Sequence, residues 1–409
     1  MRRRQFLINT GGMLALLAPP MLQSQDRAAR AAGDSPPVTL FLGGDVMTGR
    51  GVDQVLPHPS KPEIYERSVK DARRYVALAE EANGPIPRPV DFSYIWGEAL
   101  EILDRVAPDV RIINLETAVT LSDDNWPGKG INYRMHPQNI PCLSTAGIDC
   151  CALANNHVLD WGYSGLSETL TTLETAGLRF AGAGRHRQEA AAPVILELPG
   201  KGRVIVFSCG SVSSGISPEW AATSEKAGVF LLESMRDSDV ERIASGVAKV
   251  KRDRDIVVVS IHWGANWGYR LPRPHQDFAR RLIDEAGVDV IHGHSSHHPL
   301  GIEIYKSKPI LYGCGDLLND YEGIGGYQQF RGDLALMYLL ALDPTTGVLS
   351  HLTMVPLRMR RFRLVRASRG DAEWLGETLT RVARPLGSWV ELEKDNTLTL
   401  GWEPRPSSS

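Results

Sequence analysis

The sequence predicts an α/β fold built on two β-sheets. One pattern recurs: a helix-like stretch ends in a small residue with Gly or Pro, and an apolar run ending in polar residues follows, as in EILDRVAPDVRIINLE (101–116) and LIDEAGVDVIHGH (282–294). These runs are short and rich in Val, Ile and Leu, which is typical of strands covered on both faces. After residue 330 two apolar runs are joined by the turn residues PTTG, which predicts an antiparallel pair. The two patterns together favour two sheets over one doubly wound sheet.

The individual elements follow from this pattern. Ala-Gly before an apolar run is suited to the C-terminal cap of a helix, so the run after it begins a strand. The predicted strands are residues 38–45, 109–116, 149–157, 178–184, 203–210, 255–264, 288–294 and 309–316. Residues 57–90, with several prolines and many charges, are interpreted as an insertion over the site or a surface excursion. The antiparallel pair covers 333–343 and 351–359, and a final helix is predicted over 371–387.

The first 33 residues are predicted to be an export signal. They join a basic start to an apolar stretch that is too short to span a bilayer. RRQFL (3–7) matches the twin-arginine pattern, and ARAAG (29–33) offers small residues for cleavage. An ordinary Sec signal or an uncleaved anchor is the alternative interpretation. We therefore expect a periplasmic or otherwise extracytoplasmic protein with three parts: the signal (1–33), a main domain (38–365), and a C-terminal helix and tail (366–409).

The composition excludes several classes of function. Lys and Arg number 45 against 48 Asp and Glu, a formal net charge of −3, so we expect no nucleic acid among the partners. The five cysteines show no CxxC or zinc-finger spacing. The sequence also has no G-x-S-x-G nucleophile motif and no Walker A loop. The chemistry therefore has to come from other side chains.

Polar side chains collect at the ends of the predicted strands. In α/β folds, functional sites form beyond the carboxyl ends of the strands. Carboxylate, amide and imidazole groups together are ligands suited to Mn, Fe or Zn, and less suited to Ca or Mg. The residues at these positions are Asp45, Glu116, Asn156, His157, His262 and His294. Each taken alone has another interpretation: a helix N-cap for Asp45, a solvated turn for Glu116, turn formers for Asn156 and His157, and a core histidine for His262.

The octapeptide HGHSSHHP (292–299) is harder to explain without a metal. It places four histidines within seven residues at the end of a buried strand. Buried polar groups need partners, and four imidazoles at one strand end exceed what turn chemistry requires. We therefore predict that this segment supplies ligands to a metal ion.

Six motifs in order resemble the capsule-synthesis CapA family, which is associated with poly-γ-glutamate and is related to the calcineurin-like metallophosphatases. The resemblance covers roughly residues 38–335. The motifs are GGDVMTGRGVD (43–53), INLETAVT (113–120), ANNHVLDWG (154–162), AGAG (181–184), IHWG (261–264) and GHSSHHPLGIEIYKSKPILYGCGDLLNDY (293–321). The resemblance implies a four-layer α/β/β/α sandwich with two mixed sheets and a divalent metal centre, in the wider superfamily a binuclear one, at one end of the sheets.

The resemblance also implies roles for individual residues. The implied metal ligands are Asp45, Glu116 as the carboxylate that bridges two ions, Asn156, His262, His294 and His297, with His157 as the catalytic histidine. The sequence departs from the superfamily at Met47, where metallophosphatases usually carry a histidine, and thioether sulfur is a poor ligand for a hard ion. The number of ions, and the choice among His294, His297 and His298 as ligands, stay open at this point.

Further residues near these motifs are candidates for the reaction. Asp160 follows His157 by three residues and is interpreted either as its orienting partner or as a helix N-cap. Arg50 is suited to clamp a carboxylate or phosphate, with a surface ion pair as the equal alternative. His298 and Asp316 are expected at the rim of the site as substrate-binding residues.

Two classes of function are consistent with these features. The first is an exported metal-dependent hydrolase or transferase that acts on poly-γ-glutamate or a related anionic polymer or peptide. The second is a non-catalytic accessory subunit of a membrane complex for capsule synthesis, in which the metal holds the fold. A CapA-like peptide epimerase is a third alternative, against which the export signal argues.

Overall fold

The computed structural model describes residues 36–403. The predicted export signal and residues 404–409 of the predicted tail lie outside this range. Within it, no helix is long and apolar enough to cross a membrane. The helices are α1 (Arg73–Asn83), α2 (Glu98–Val106), α3 (Pro141–Thr145), α4 (Gly162–Thr175), α5 (Arg187–Ala190), α6 (Asp237–Val250), α7 (Arg273–Ala286) and α8 (Arg369–Ala383).

The strands alternate with these helices over most of the chain, as the sequence predicts. The strands are β1 (Val38–Val46), β2 (Val110–Leu115), β3 (Ala118–Val119), β4 (Arg134–Met135), β5 (Cys150–Ala152), β6 (Arg179–Ala181), β7 (Ala183–Gly184), β8 (Val194–Leu198), β9 (Gly202–Ser211), β10 (Gly228–Val229), β11 (Leu231–Leu232), β12 (Asp255–His262), β13 (Val290–His294), β14 (Ile302–Tyr305), β15 (Lys308–Leu311), β16 (Asp316–Leu318), β17 (Leu334–Leu342), β18 (Leu349–Met359), β19 (Leu364–Arg366), β20 (Ser388–Leu392) and β21 (Leu398–Trp402).

The strands form two large mixed sheets, which confirms the predicted α/β class and the two-sheet arrangement. In the first sheet the order is β20-β21-β18-β17-β1-β2-β5-β6, with β16 beside β1 and β19 beside β18. Strands β1, β2, β5 and β6 are parallel, whereas β17 and β18 form the predicted antiparallel pair. In the second sheet the order is β11-β9-β12-β13-β15-β14, with β8 beside β9. Two further sheets have two strands each, β10-β7 and β3-β4.

Apolar side chains on alternate positions of each strand enter different cores. In β1, Leu40 and Leu42 lie in one buried cluster and Phe41 in another, because successive side chains of a strand point to opposite faces. The cluster that holds Leu40 also holds Val206 of β9 and Val258 of β12, so it joins residues of both sheets. Phe41 shares its cluster with side chains of α2 and α4, and the outer residues of β9 and β12 share a third cluster with α6 and α7.

Several element boundaries differ from the predictions for identifiable reasons. The predicted strand 149–157 ends at Ala152, because the side chain of Asn155 donates to Leu115 O (2.8 Å) and draws the chain out of the ladder. The predicted strand 309–316 is two strands. β15 pairs in the second sheet, and Asp316 begins β16, which is parallel to β1 in the first sheet. The crossing between them passes through Gly315 at φ +73°.

The C-terminal segment extends the first sheet. The predicted final helix is α8, which begins at Arg369 and ends at Ala383, slightly before the predicted end. Its side chains Leu375 and Leu379 lie in the cluster that joins the two sheets. The hairpin β20–β21 then pairs with β18. Residues 57–90, interpreted as an insertion, contain α1, whose Tyr75 and Asn83 line the cavity described below.

Candidate metal centre

The carboxyl ends of five strands from the two sheets converge at one place. Asp45 lies near the end of β1, and Glu116 directly follows β2. His262 ends β12 and His294 ends β13, and these two residues are Cα partners in the ladder. Asn156 and His157 follow β5. All of these except the half-buried Asn156 are buried.

Two overlapping groups of side chains could hold a metal ion within residues 36–403. The first is Asp45, His262 and His294, and the second is Asp45, Glu116 and His297; in each group the candidate ligand atoms lie within 4.8 Å of one another. Asp45 is common to both groups, whereas the resemblance gave Glu116 the bridging role. Glu116 still lies close to both, since its Oε1 is 3.8 Å from His262 Nε2.

A chain of hydrogen bonds fixes the proton positions in the first group. His292 Nε2 donates to Gly43 O (2.9 Å), so its Nδ1 accepts from the Ser260 hydroxyl (3.1 Å). The Ser260 oxygen then accepts from His294 Nε2 (2.8 Å), which leaves His294 Nδ1 without a proton. That nitrogen is 2.7 Å from His262 Nδ1 and 3.9 Å from Asp45 Oδ1.

The first group therefore presents unprotonated nitrogens to one point. His262 Nε2 lies 2.9 Å from Asn156 Oδ1, and when it donates to that oxygen His262 Nδ1 also carries a lone pair. Burial lowers the pKa of both His262 and His294 well below 6.5, which keeps the two imidazoles neutral. The two facing Nδ1 atoms, 2.7 Å apart, need either a proton shared between them or a cation in contact with both, so this arrangement fits a metal ion.

The second group concentrates negative charge in a buried place. Asp45, Glu116 and Asp316 are 0%, 1% and 2% exposed. Burial, followed by the charge of Asp316, raises the pKa of Asp45 to about 7, and burial with the charges of Asp45 and Asp316 raises the pKa of Glu116 well above its usual range. Within residues 36–403, Glu116 Oε1 has no hydrogen-bond partner. Such a cluster needs a proton or a cation to be stable, and a divalent ion supplies the charge.

His297 faces this group through its Nδ1. That nitrogen lies 2.8 Å from Asp316 Oδ1 and 3.9 Å from Asp45 Oδ2. Burial opposes a charge on His297, but Asp316 and Asp45 outweigh it and raise its pKa. Nε2 is 3.0 Å from the side-chain amide of Asn266.

His157 and Asp160 form a buried pair beside both groups. His157 Nδ1 lies 2.6 Å from Asp160 Oδ2, which also accepts from Tyr133 N (2.7 Å). His157 Nε2 points to Glu116 Oε1 at 3.7 Å. Burial lowers the pKa of His157 to about 4. Lys129 Nζ is 3.0 Å from Asp160 Oδ1, an ion-pair contact without hydrogen-bond angles, and it donates to Asn156 O (2.5 Å).

Comparison with known proteins identifies the family of this chain. Residues 39–321 match the family described as bacterial capsule synthesis protein PGA_cap. The chain belongs to this family. The match confirms the resemblance that the six sequence motifs indicated.

Three named relatives align with most of the chain. A probable polyglutamine synthesis accessory protein of Mycobacterium tuberculosis is 50% identical over 370 residues, which are 90% of this chain and 97% of the relative. Capsule biosynthesis protein CapA of Bacillus anthracis is 27% identical over 327 residues, 79% of this chain and 68% of the relative. PGA biosynthesis protein CapA of Bacillus subtilis is 25% identical over 303 residues, 74% and 67%.

In this PGA_cap chain the predicted substrate-binding residues occupy different surroundings. Arg50, at φ +53°, donates from Nε to Asp320 Oδ2 (2.8 Å), from a second nitrogen to Asp320 Oδ1, and from a third to Glu66 Oε1 (3.1 Å). Its guanidinium also lies 3.7 Å from the centre of the Tyr75 ring. Two buried carboxylates therefore engage this cation, in an interior ion pair and not in the surface ion pair that the sequence left as the alternative to a clamp.

His298 lies apart from the two candidate metal groups. Its Nε2 accepts from Gly268 N (3.0 Å), and its ring stacks on Phe330 with centroids 4.6 Å apart. Together with Trp267 and Tyr269 it belongs to an aromatic wall. Asp316 lies beside the second group, where its Oδ1 is 2.8 Å from His297 Nδ1.

A cavity of about 610 Å³ opens next to His297. Trp267 and Tyr327 stack at 4.4 Å along it, and Arg50, Tyr133 and Tyr321 also line it. Its volume is in the range of small-molecule and peptide sites. A substrate in the cavity would reach the second group at His297, so the centre is accessible from one side.

The sequence interpretation missed three side chains of this centre. Asn114 Nδ2 donates to Asp45 Oδ1 (2.8 Å) and approaches Glu116 Oε2 (3.4 Å). The two-residue period of a strand places Asn114 on the same side as Glu116, so strand parity was a usable signal. Lys129 and Tyr133 lie in a long connection after β3, where neither spacing nor periodicity indicates that they contact His157 and Asp160.

Proposed function

We propose that this PGA_cap protein is an exported metal-dependent enzyme, a hydrolase or transferase that acts on poly-γ-glutamate or a related anionic envelope polymer. The observation that carries the proposal is Glu116 Oε1, a buried carboxylate oxygen that has no hydrogen-bond partner among the described residues and lies within 4 Å of His157 Nε2 and His262 Nε2. Buried polar atoms without partners are rare, and functional sites are where they occur. The names of the relatives, which refer to polyglutamine, capsule and PGA synthesis, support an anionic polymer as the substrate.

The proposed ligands are the side chains of the two candidate groups together with Asn156. They would hold one or two ions of Mn, Fe or Zn, a choice that follows from mixed carboxylate, amide and imidazole donors. A bound ion of this kind lowers the pKa of a coordinated water toward neutrality and polarises an oxygen of the substrate. The proposed ligand set is Asp45, Glu116, Asn156, His262, His294 and His297.

His157 is the proposed acid/base group. Asp160 holds its Nδ1 at 2.6 Å, so the opposite nitrogen, Nε2, faces Glu116 and the candidate metal groups. With a pKa of about 4 the ring is neutral at pH 7 and suited to accept a proton. Asp160 would orient the ring and stabilise its charged form, in the manner of a carboxylate behind a catalytic histidine.

The finer architecture and the location are part of the same proposal. The three apolar clusters support a four-layer α/β/β/α sandwich of the metallophosphatase type, since one joins the sheets and two join a sheet to its helices. We propose the main domain at 38–365, followed by the C-terminal segment 366–409. The twin-arginine pattern in residues 1–33 supports export to an extracytoplasmic compartment.

A non-catalytic accessory role is the second candidate. The word accessory in the name of the 50% identical relative favours it, and a capsule-synthesis membrane complex would then be the partner. A metal centre that only holds the fold has no use for a buried acid/base pair beside it. His157 and Asp160 therefore favour the enzyme, and they also fit the third candidate, a peptide epimerase, which would remove a proton beside a carbonyl group.

The test compares metal content and activity of the full chain, purified without a metal-binding tag, with those of two variants. In His157→Ala we expect the wild-type metal content and a loss of turnover of about 100-fold or more, because an acid/base group is removed and no ligand. In His294→Ala we expect loss of the ion that the first group would hold, and so a lower metal content than in the wild type. His298→Phe, which keeps the stacked ring in the same motif, is the control that should retain metal.

Turnover is followed on phosphoesters, γ-glutamyl amides and poly-γ-glutamate of defined length. If His157→Ala loses metal or fold and the wild type turns over none of these substrates, the accessory role replaces the enzyme. A wild-type protein free of Mn, Fe and Zn contradicts the metal centre itself.

A further inference from the structure

We propose that Asp316 is a direct ligand of the ion held by Asp45, Glu116 and His297, and that it supplies the donor which Met47 does not. The inference rests on the metal centre of the proposed function and adds a residue to it. Asp316 and Asp45 are Cα partners on the parallel strands β16 and β1, so their side chains leave the sheet side by side. Asp316 is buried, and its Oδ1 lies 2.8 Å from His297 Nδ1.

Nδ1 is the nitrogen of His297 that would bind the ion. Nε2 faces the amide of Asn266 at 3.0 Å. Nδ1 faces Asp45 Oδ2 at 3.9 Å and Asp316 Oδ1 at 2.8 Å. An ion shared by His297 and Asp45 therefore lies on the Nδ1 side of the ring. Nε2 then carries the proton and donates to the amide oxygen of Asn266, whose O and N positions are interchangeable in such a contact.

Asp316 would lose its hydrogen bond from His297 when Nδ1 binds an ion. An imidazole nitrogen that coordinates a metal carries no proton, so it can no longer donate to Asp316 Oδ1. Two lone pairs at 2.8 Å would then repel, unless the same cation lies against both atoms. Neighbouring ligands of an ion with bonds of about 2.1 Å lie about 3 Å apart in an octahedral shell. The observed separation of 2.8 Å fits two ligands of one ion as well as it fits a hydrogen bond.

Asn319 holds the carboxylate of Asp316 in place. Its Oδ2 accepts from Asn319 Nδ2 (2.9 Å), which turns Oδ1 toward the cluster. Asn319 in turn donates to Gly332 O (2.9 Å), so the carboxylate is anchored to the main chain. Ligating carboxylates are commonly held in this way by an outer hydrogen bond.

The surroundings of Glu116 and Met47 also support a cation at this place. Glu116, which is 1% exposed, groups with Asp45 and His297, and its Oε1 has no hydrogen-bond partner among the described residues. Met47 is also buried, but its sulfur contacts the hydroxyl of Tyr321 (3.8 Å), a geometry that leaves the thioether in a hydrogen-bonding role. Three carboxylates and one imidazole would complete a hard-ligand set without it.

The experiment measures bound metal, not activity. The full-length protein is stripped, reloaded with Mn²⁺ or Zn²⁺, and analysed for stoichiometry by mass spectrometry and for affinity by titration against a fluorescent chelator. Asp316→Ala removes the proposed ligand, and Asp316→Asn keeps the shape and the anchoring contact. Asp320→Asn is the matched control, since Asp320 is a buried carboxylate of the same segment that contacts Arg50 and not His297. Circular dichroism checks that each variant is folded.

We expect two equivalents in the wild type and in Asp320→Asn. Asp316→Ala should retain one, as should His297→Ala, and Asp316→Asn should bind the second ion at least 10-fold more weakly than the wild type. Two equivalents with unchanged affinity in folded Asp316→Ala or Asp316→Asn would overturn the assignment while leaving the metal centre intact. A wild type without metal would instead remove the proposed function, so the two failures are distinguishable.

Discussion

Lys129 shows at the scale of a single residue how a loop side chain can set the acid/base properties of the centre. Its ammonium lies 3.0 Å from Asp160 Oδ1 and 3.4 Å from His157 Nδ1. After burial, which is the largest cause, its positive charge contributes to the low pKa of His157, against the raising influence of Asp160. A cation within 4 Å of an imidazole disfavours the imidazolium.

Lys129→Met should therefore raise the pKa of His157 above about 4, by about one pH unit. Removal of the cation stabilises the protonated ring, so His157 becomes protonated at a higher pH than in the wild type. For any activity that needs the neutral ring, the acidic limb of the pH–activity profile therefore shifts to higher pH. Long-range ¹H–¹⁵N spectra of the metal-free protein report the titration without a substrate. Lys129→Arg keeps the charge and should leave the pKa near its original value; an unchanged titration in Lys129→Met contradicts the role.

Arg50 gives a second prediction at the residue scale. Its guanidinium is 4% exposed and is shared by Asp320 and Glu66. Arg50→Met leaves two buried carboxylates without a counterion, which should lower the free energy of unfolding by about 3–5 kcal/mol. The triple variant Arg50→Met, Glu66→Gln, Asp320→Asn removes the charges together and should recover part of that loss. Urea denaturation measures both. A stable Arg50→Met with weakened substrate binding would instead support the clamp that the sequence suggested.

At the scale of elements, the sequence predicted where strands run better than where they pair. The predicted strands 38–45, 203–210 and 288–294 each contain or overlap an observed strand within a few residues, because apolar runs of Val, Ile and Leu report burial directly. The run 309–316 crosses from one sheet to the other, and a run of apolar residues carries no information about its partner. Asp316 was therefore expected at the rim, whereas β16 brings it beside Asp45.

The same limit applies to the candidate site. The ends of parallel strands meet at one edge, so Asp45, Glu116, His262 and His294 could be placed together from sequence. Contacts such as Lys129 with Asp160 join residues whose relation depends on the path of a connection. No period or spacing encodes that path, and only the folded chain reveals it.

The pairing of β16 with β1, reached by the crossing through Gly315, gives a prediction for a single glycine. A methyl group on Gly44 would lie 1.8 Å from Gly315 O, which is backbone and unable to move aside cheaply. Gly44→Ala should therefore push β16 away from β1 and separate Asp316 from Asp45. We expect a lower metal content and a free energy of unfolding that is lower by about 3 kcal/mol. Gly370→Ala, where the added methyl meets no atom within 4 Å, is the control and should be neutral or slightly stabilising. Equal melting temperatures and metal contents would contradict this account of the crossing.

At the scale of the whole molecule, the candidate centre lies where the two large sheets meet. Asp45 and Asp316 belong to strands of the first sheet, and His262 and His294 end strands of the second. His292 also joins them directly, since it donates from the second sheet to Gly43 O in the first. An ion bound by residues of both sheets would hold them together in addition to the apolar cluster that they share.

Removal of metal should therefore lower the stability of the entire fold. A ligand that binds only the folded state at 1,000 times its dissociation constant contributes about 4 kcal/mol, which corresponds to a shift in Tm of about 5 °C for a chain of this size. We expect this decrease when the protein is treated with a chelator and dialysed, and recovery when Mn²⁺ or Zn²⁺ is restored. His294→Ala, which lacks a proposed ligand of the first group, should melt between the temperatures of the loaded and the stripped wild type and respond less to the chelator. If the wild type loses its metal, as mass spectrometry would establish, and its Tm stays the same, the ion does not hold the sheets together, and the buried carboxylates must be stabilised by protons alone.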